Sequence, residues 1–124
     1  MGEAHNVANY ARLKRILRNQ ELARTGDFTG LDMGMTAAEV LARIPNHWTT
    51  VPARGGTISG TGARYIAPLG SSGAYGITEV RLMTRPDGSQ YVRLYRDAHP
   101  VDVFGRPQRQ ELTHFELERE GVAI

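Results

Sequence analysis

The stretch EVRLMTRPDGSQYVRLYR, residues 79–96, decides the fold that the sequence predicts. Polar and apolar residues alternate on both sides of Pro86-Asp87-Gly88, a pattern typical of two antiparallel strands joined by a tight turn. If Arg85 pairs with Ser89, the register sets Leu82 opposite Val92 and Val80 opposite Leu94 on one face, which is predicted to be core. On the other face it sets Met83 opposite Tyr91, Arg81 opposite Arg93 and Glu79 opposite Tyr95.

The second face of this hairpin carries two arginines, Arg81 and Arg93, directly opposite each other. Like charges across a strand pair cost roughly 0.2–1 kcal/mol, and an anion that bridges them offsets this cost. We therefore expect a phosphate-binding floor, flanked by Tyr91 and Tyr95, which could stack on bases. In the alternative interpretation, Glu79 lies diagonal to Arg93 and neutralises the pair on an ordinary solvated face.

The segment Glu111–Leu117 predicts a last strand that brings a histidine to the same face. Phe115 and Leu117 alternate with polar positions, so His114 points away from the core if those two residues join it. A histidine takes and returns protons near neutral pH, as RNA cleavage by the 2′-hydroxyl requires, and arginines stabilise the phosphate in the transition state. The alternative is a surface histidine without a role.

The N-terminal part predicts two helices. The first runs from Asn6 to about Arg24, with one apolar face and one polar face that is expected to be solvated. The apolar face comprises Val7, Tyr10, Leu13, Ile16 and Leu17, and the polar face comprises Asn9, Arg12, Arg15 and Asn19. In the second predicted helix, Thr36 and Glu39 form a capping box at the start, and Pro45 ends the helix. Its apolar side comprises Val40, Leu41 and Ile44.

Short strands after the helices predict an α+β domain, with one or two N-terminal helices packed on a four- to five-stranded antiparallel sheet. They are expected at Ala63–Ala67, about Ile77–Thr84, Gln90–Arg96 and about Glu111–Leu117. The 124 residues fit one domain, helical over 5–45, an irregular loop over 46–62 and β-rich over 63–118.

Composition narrows the function classes. The chain has no cysteine, which excludes disulfides, thiolate nucleophiles and zinc-thiolate sites, and its four histidines lack metal-site spacing, so no metal or other cofactor is expected. No segment predicts membrane insertion. The chain has fourteen arginines and one lysine. This excess of arginine suits a phosphate-bearing partner, because a guanidinium binds phosphate through two hydrogen bonds, but the codon bias of a GC-rich genome explains it equally well. The positions of the arginines therefore matter more than their number.

Secondary candidates complete the predicted site. His99, just past the hairpin, could supply a second acid or base at the same end of the sheet, and His47, before Trp48, could contact substrate. Thr113 and Arg54 are further candidate substrate-binding residues, while His5 ranks last because it lies near the terminus.

The second half of the chain, from about residue 62 to 117, resembles the C-terminal ribonuclease domains of bacterial polymorphic, contact-dependent toxins. Five segments in order carry the resemblance: Gly62-Ala63-Arg64-Tyr65-Ile66-Ala67-Pro68, Glu79-Val80-Arg81-Leu82-Met83, Tyr91-Val92-Arg93, Asp102-Val103-Phe104-Gly105-Arg106-Pro107 and Thr113-His114-Phe115. The family normally has a longer run rich in Asn and Pro before the final strands, so the tight hairpin departs from its pattern.

The resemblance implies a fold of the barnase and EndoU class and metal-independent cleavage of RNA, with tRNA one possible substrate. The residues carried over are Arg64, Arg81, Arg93 and His114. It further implies a domain that is monomeric when free, that is delivered or secreted as the C-terminal part of a larger protein and that acts in the cytoplasm of a target cell. An acidic cognate immunity protein is the expected partner.

Two other functions remain open at this point. One is an NAD-using toxin, either an ADP-ribosyltransferase or an NADase, which would employ Arg64-Tyr65 and the region of Glu111. The other is a non-enzymatic nucleic-acid-binding or structural module, in which the histidines are bystanders. NAD consumption and RNA cleavage products separate the three.

Overall fold

The computed structural model describes residues 3–119, with the side chains of 9–56 and 58–119. Its helices are α1 (Glu3–Glu21), α2 (Ala37–Ala42) and α3 (Gly56–Ser59), and short 3₁₀ turns occur at Leu31–Met33, Ala74–Gly76 and Gln110–Leu112. Its strands are β1 (Thr49–Gly55), β2 (Gly60–Ile66), β3 (Glu79–Thr84), β4 (Gln90–Arg96), β5 (His99–Val101) and β6 (His114–Glu116). Among the described residues, no helix is both long and apolar enough to cross a bilayer.

All six strands form one sheet with antiparallel pairing, in the order β1-β2-β3-β4-β5, and β6 pairs with β4 beside β5. The predicted α+β class, with an N-terminal helical part and an antiparallel sheet, is confirmed. The prediction of an irregular loop over 46–62 was wrong, because β1, α3 and the start of β2 lie there. The glycines and threonines of this segment are compatible with a hairpin whose end turns through Gly56 and Gly60, both at positive φ.

The hairpin has the predicted register. Leu82 pairs with Val92, Arg81 with Arg93 and Glu79 with Tyr95, and the turn residue Gly88 has a φ of 90°. The core face was also correct, since Val80, Leu82, Val92 and Leu94 are all buried. Period-two alternation and turn chemistry were sufficient here because both act over a few residues.

The core on that face is closed by α2 and by the segment before it. Phe28, Leu31 and Met35 lie between α1 and α2, and their side chains are at most 2% exposed. The predicted capping box of α2 is present, with the Glu39 amide donating to the Thr36 hydroxyl and the Thr36 amide donating to the Glu39 carboxylate. Val40 and Ile44 are buried as predicted, whereas Leu41 is exposed.

Helix α1 presents the opposite face from the one predicted. Tyr10, Leu13, Ile16 and Leu17 are 44–64% exposed, while the side chain of Val7 lies outside the described residues. Instead, half-buried Arg15 and Asn19 face the rest of the domain. The prediction failed because the residues after α1 already fill the core, which leaves polar contacts to hold this helix.

Those polar contacts converge on Glu39. Arg15 donates two hydrogen bonds to its carboxylate, Asn19 donates one at 2.6 Å, and Arg15 also pairs with Glu118 at 3.0 Å. Burial alone would raise the pKa of Glu39, but hydrogen bonds from Arg15, Asn19 and Thr36 outweigh it and hold that pKa at about 2. Glu39 therefore both caps α2 and binds α1.

Candidate active site

The four residues that carry the toxin resemblance lie in one row across the sheet. Arg64 of β2 pairs with Arg81 of β3, Arg81 pairs with Arg93 of β4, and Arg93 pairs with His114 of β6. Directly paired residues share a face, so all four lie on the face opposite the core. We call them the arginine–histidine row; it crosses three strand spacings, or about 14 Å.

Glu79 neutralises one half of this row. Its carboxylate accepts hydrogen bonds from Arg64 Nε at 2.9 Å, from Arg64 Nη2 at 3.1 Å and from Arg81 Nε at 2.6 Å. Burial alone would raise the pKa of Glu79, but the bonds from Arg64 and Arg81 outweigh it and lower that pKa. The predicted neutralising contact with Arg93 is not formed, because the carboxylate is engaged by the other two arginines.

Arg93 and His114 form the half of the row without a counter-charge. Among the described residues, no carboxylate pairs with Arg93, and the buried atoms Arg93 Nε and His114 Nε2 have no hydrogen-bond partner. Buried polar atoms without a partner are costly and therefore uncommon. A ligand could satisfy these two atoms only after the Arg93 and His114 side chains turn towards it, because both atoms are buried in the described conformation.

The surroundings of His114 favour the neutral imidazole. Its pKa is lowered first by burial and then by the positive charge of Arg93, with a smaller contribution from Arg85, while Glu116 acts in the opposite direction. The side chain is therefore a proton acceptor at neutral pH. Because Nε2 is buried, proton exchange with a ligand uses Nδ1 or requires the ring to turn.

Tyr91 and Tyr95 do not form the exposed stacking platform that was predicted. They are only 5% and 6% exposed, and arginines cover their rings. The guanidinium carbon of Arg81 lies 4.5 Å from the Tyr95 ring centroid, and that of Arg85 lies 4.4 Å from the Tyr91 centroid. The tyrosines thus support the cations from below, because long arginine side chains fold over neighbouring rings on the same face.

Arg85 and Glu116 extend this face and were not among the predicted site residues. Arg85 binds both carboxylate oxygens of Glu116, at 2.7 and 2.6 Å, above Tyr91. The Tyr91 ring in turn packs against the His114 imidazole, with centroids 4.2 Å apart. The available sequence signal was the spacing of Glu116 two residues after His114, which places both on one face of β6.

Four other predicted site residues lie away from the row. His99 pairs with Arg96 and Arg54 pairs with Thr61, register positions that belong to the opposite face, and both are exposed. His47 is exposed in the turn before β1. Thr113 is fully buried and its hydroxyl donates to the Gln110 carbonyl at 3.0 Å, so it is a structural residue. The side chain of His5 lies outside the described residues.

Two of these departures, those of His99 and Arg54, share a cause. A strand reverses the direction of its side chains at each residue, and both residues were assigned to the site without knowledge of their register. Among the side chains that the structure describes, no group of three or more His, Asp and Glu residues is arranged to hold a metal ion.

Comparisons with known proteins add no relative: no protein-family model, no curated protein and no solved structure matches the chain. The function is therefore argued from the geometry of the arginine–histidine row and its neighbours.

Proposed function

We propose that this domain is a metal-independent endoribonuclease toxin that cleaves RNA by 2′-hydroxyl transesterification. The observation that carries the proposal is the half of the row without a counter-charge, where Arg93 and neutral His114 lie directly opposite each other with buried polar atoms unsatisfied. A phosphodiester is an anion with several acceptor oxygens, and it fits beside a guanidinium that has no carboxylate partner.

In the proposed reaction, His114 accepts the proton of the 2′-hydroxyl and the 2′-oxygen attacks the adjacent phosphorus. The bond from phosphorus to the 5′-oxygen breaks, that oxygen takes a proton from water, and the products carry a 2′,3′-cyclic phosphate and a 5′-hydroxyl. Arg93 stabilises the charge that gathers on the phosphate oxygens, and Arg64 and Arg81 bind the neighbouring backbone. With lowered pKa values, Glu79 and Glu116 are ionised at neutral pH and cannot donate the proton.

The proposal is tested by incubating the domain with total RNA, with and without EDTA. We expect cleavage in both, fragments that end in cyclic phosphate by mass spectrometry, and loss of at least a hundredfold in rate for His114→Ala, the usual scale of acid–base catalysis. His47→Ala is the matched control, because that histidine is exposed and away from the row. Intact RNA, or cleavage that EDTA abolishes, would refute the metal-independent mechanism.

The toxin part of the proposal extends to delivery and to a partner. We propose that the domain forms the C-terminal part of a larger secreted or contact-delivered protein, acts in the target-cell cytoplasm and is neutralised by an acidic immunity protein. The described face supports the charge of this partner, since Arg64, Arg81, Arg85 and Arg93 outnumber Glu79 and Glu116. Charge complementarity would accelerate capture, so association should slow steeply with added salt.

A second candidate function is supported by the burial of His114 Nε2, which leaves this nitrogen out of reach of a substrate in the described conformation. Under this alternative the domain binds nucleic acid through the arginine face without cutting it. This alternative predicts RNA binding that weakens steeply with salt and no cleavage products. It also predicts that His114→Ala changes the affinity for RNA no more than His47→Ala does.

A further inference from the structure

The arginine–histidine row borders a groove at one end of the sheet that the mechanism above does not use. The groove has a volume of about 450 Å³, and Ile66 and Glu79 contribute to its wall. These two residues pair with each other one step along the face from the Arg64–Arg81 pair. Two residues along a strand span about 7 Å, so the groove begins next to Arg64 and Arg81, to which the proposed mechanism assigns the RNA backbone that neighbours the scissile phosphate.

The walls of the groove combine apolar surface with free hydrogen-bonding groups. Ile66, Pro68 and Leu69 supply the apolar part. The backbone N–H groups of Leu69, Gly70 and Ser72 donate no hydrogen bond to any atom of the described residues. Concave sites of this size that combine apolar surface with polar groups are suited to small ring systems that carry hydrogen-bonding atoms on their edges.

The charges in the groove do not favour a second phosphate. Asp97 and Arg96 offset each other, and the Glu79 carboxylate is already neutralised by Arg64 and Arg81. A groove without net charge suits a neutral ring that carries both donors and acceptors on its edge. Nucleobases have this chemistry, and proteins that read single-stranded RNA stack such bases and bind their edges.

We propose that this groove binds the nucleobase next to the scissile phosphate and sets the sequence preference of cleavage. The base packs on Leu69 and Pro68, the free N–H groups of the 69–72 loop donate to its acceptor atoms, and the Asp97 carboxylate accepts from its amino or imino group. This inference rests on the proposed ribonuclease function, since it assigns a position in the RNA relative to the cut.

The test uses short RNAs with random nucleotides on both sides of the cut and compares the sequences of the cleaved ends. The variants are Leu69→Ser, which removes a fully exposed apolar wall without touching the core, and Asp97→Asn, which removes the charge at a φ of 49° that asparagine tolerates. The matched control is Met33→Ser, because Met33 is also highly exposed but lies away from the groove.

For the wild type we expect a preference of about tenfold to a hundredfold at one flanking position, the range of a single stacked base. Leu69→Ser should reduce it to about threefold or less, Asp97→Asn should change which base is preferred, and Met33→Ser should leave it unchanged. Cleavage by the wild type without a flanking preference, or with the same preference in both groove variants, would overturn the groove assignment alone. Absence of cleavage by the wild type would overturn the ribonuclease proposal and the groove assignment with it.

Discussion

Replacing Glu79 by Gln should destabilise the domain and convert its arginine face into a stronger anion site. The carboxylate is 12% exposed and accepts three hydrogen bonds from Arg64 and Arg81, each 37% exposed. A bond to a charged group contributes roughly 1.5–3 kcal/mol before screening. Solvent at the two arginines screens this and glutamine keeps one acceptor, so the surviving loss is about 1 kcal/mol.

Repulsion adds to that loss. Without the carboxylate, Arg64, Arg81 and Arg93 lie on three adjacent strands without a counter-charge among the described residues, and each like-charge pair costs roughly 0.2–1 kcal/mol. We therefore expect the free energy of unfolding of Glu79→Gln to fall by about 2 kcal/mol in low salt. In urea unfolding this is a lower midpoint at unchanged slope.

Inorganic phosphate should restore much of the loss. At ten times its dissociation constant, a ligand that binds only the folded state adds about 1.4 kcal/mol, and sodium chloride at equal ionic strength should add less. The control is Glu116→Gln, whose 61% exposed carboxylate binds Arg85 on the same face and should matter less. An unchanged urea midpoint for Glu79→Gln, or equal recovery with chloride and phosphate, would refute the reasoning.

Four further predictions concern other parts of the chain. If His114 acts as the base, kcat/KM should rise with pH through the lowered pKa of His114 and then stay level. Arg93→Gln removes a positive charge and should raise that pKa, which an NMR titration of the imidazole measures; an unchanged pKa would contradict the coupling. Glu39, with a pKa of about 2, stabilises the fold above about pH 4.5 and loses this effect as pH falls towards 2. Glu39→Gln should therefore lower stability at pH 7 by roughly 1–2 kcal/mol and reduce the dependence on acid pH, and a wild-type slope in the variant would contradict this. Gly62→Ala should prevent folding, as judged by circular dichroism, because a Cβ there would lie 2.0 Å from the Leu82 carbonyl oxygen; a folded variant would show that β2 can shift. Leu13→Ser should change the free energy of unfolding, measured in urea, by less than about 0.5 kcal/mol, since this side chain is 52% exposed; a loss several times larger would support the amphipathic packing predicted from sequence.

Much of the candidate site was predictable from sequence. The register of Arg81 and Arg93 followed from alternation around Pro86-Asp87-Gly88, and His114 followed from alternation with Phe115. Both depend on the two-residue period of a strand, which is a local property of the backbone.

The partners of these residues were not predictable in the same way. Glu79 binds Arg64 and Arg81 and leaves Arg93 without a counter-charge. Which of several arginines a carboxylate binds depends on side-chain conformations across neighbouring strands, and these are decided only when the strands are packed together.

The sequence by itself therefore determined the hairpin, its register, the α2 capping box and the α+β class, because short-range backbone and turn chemistry specify them. Only the tertiary structure decided that Tyr91 lies beneath Arg85, that α1 docks through Arg15, and that His99 belongs to the other face. Each of these outcomes depends on which surfaces remain available once residues distant in sequence have filled the core, and no local pattern encodes that competition.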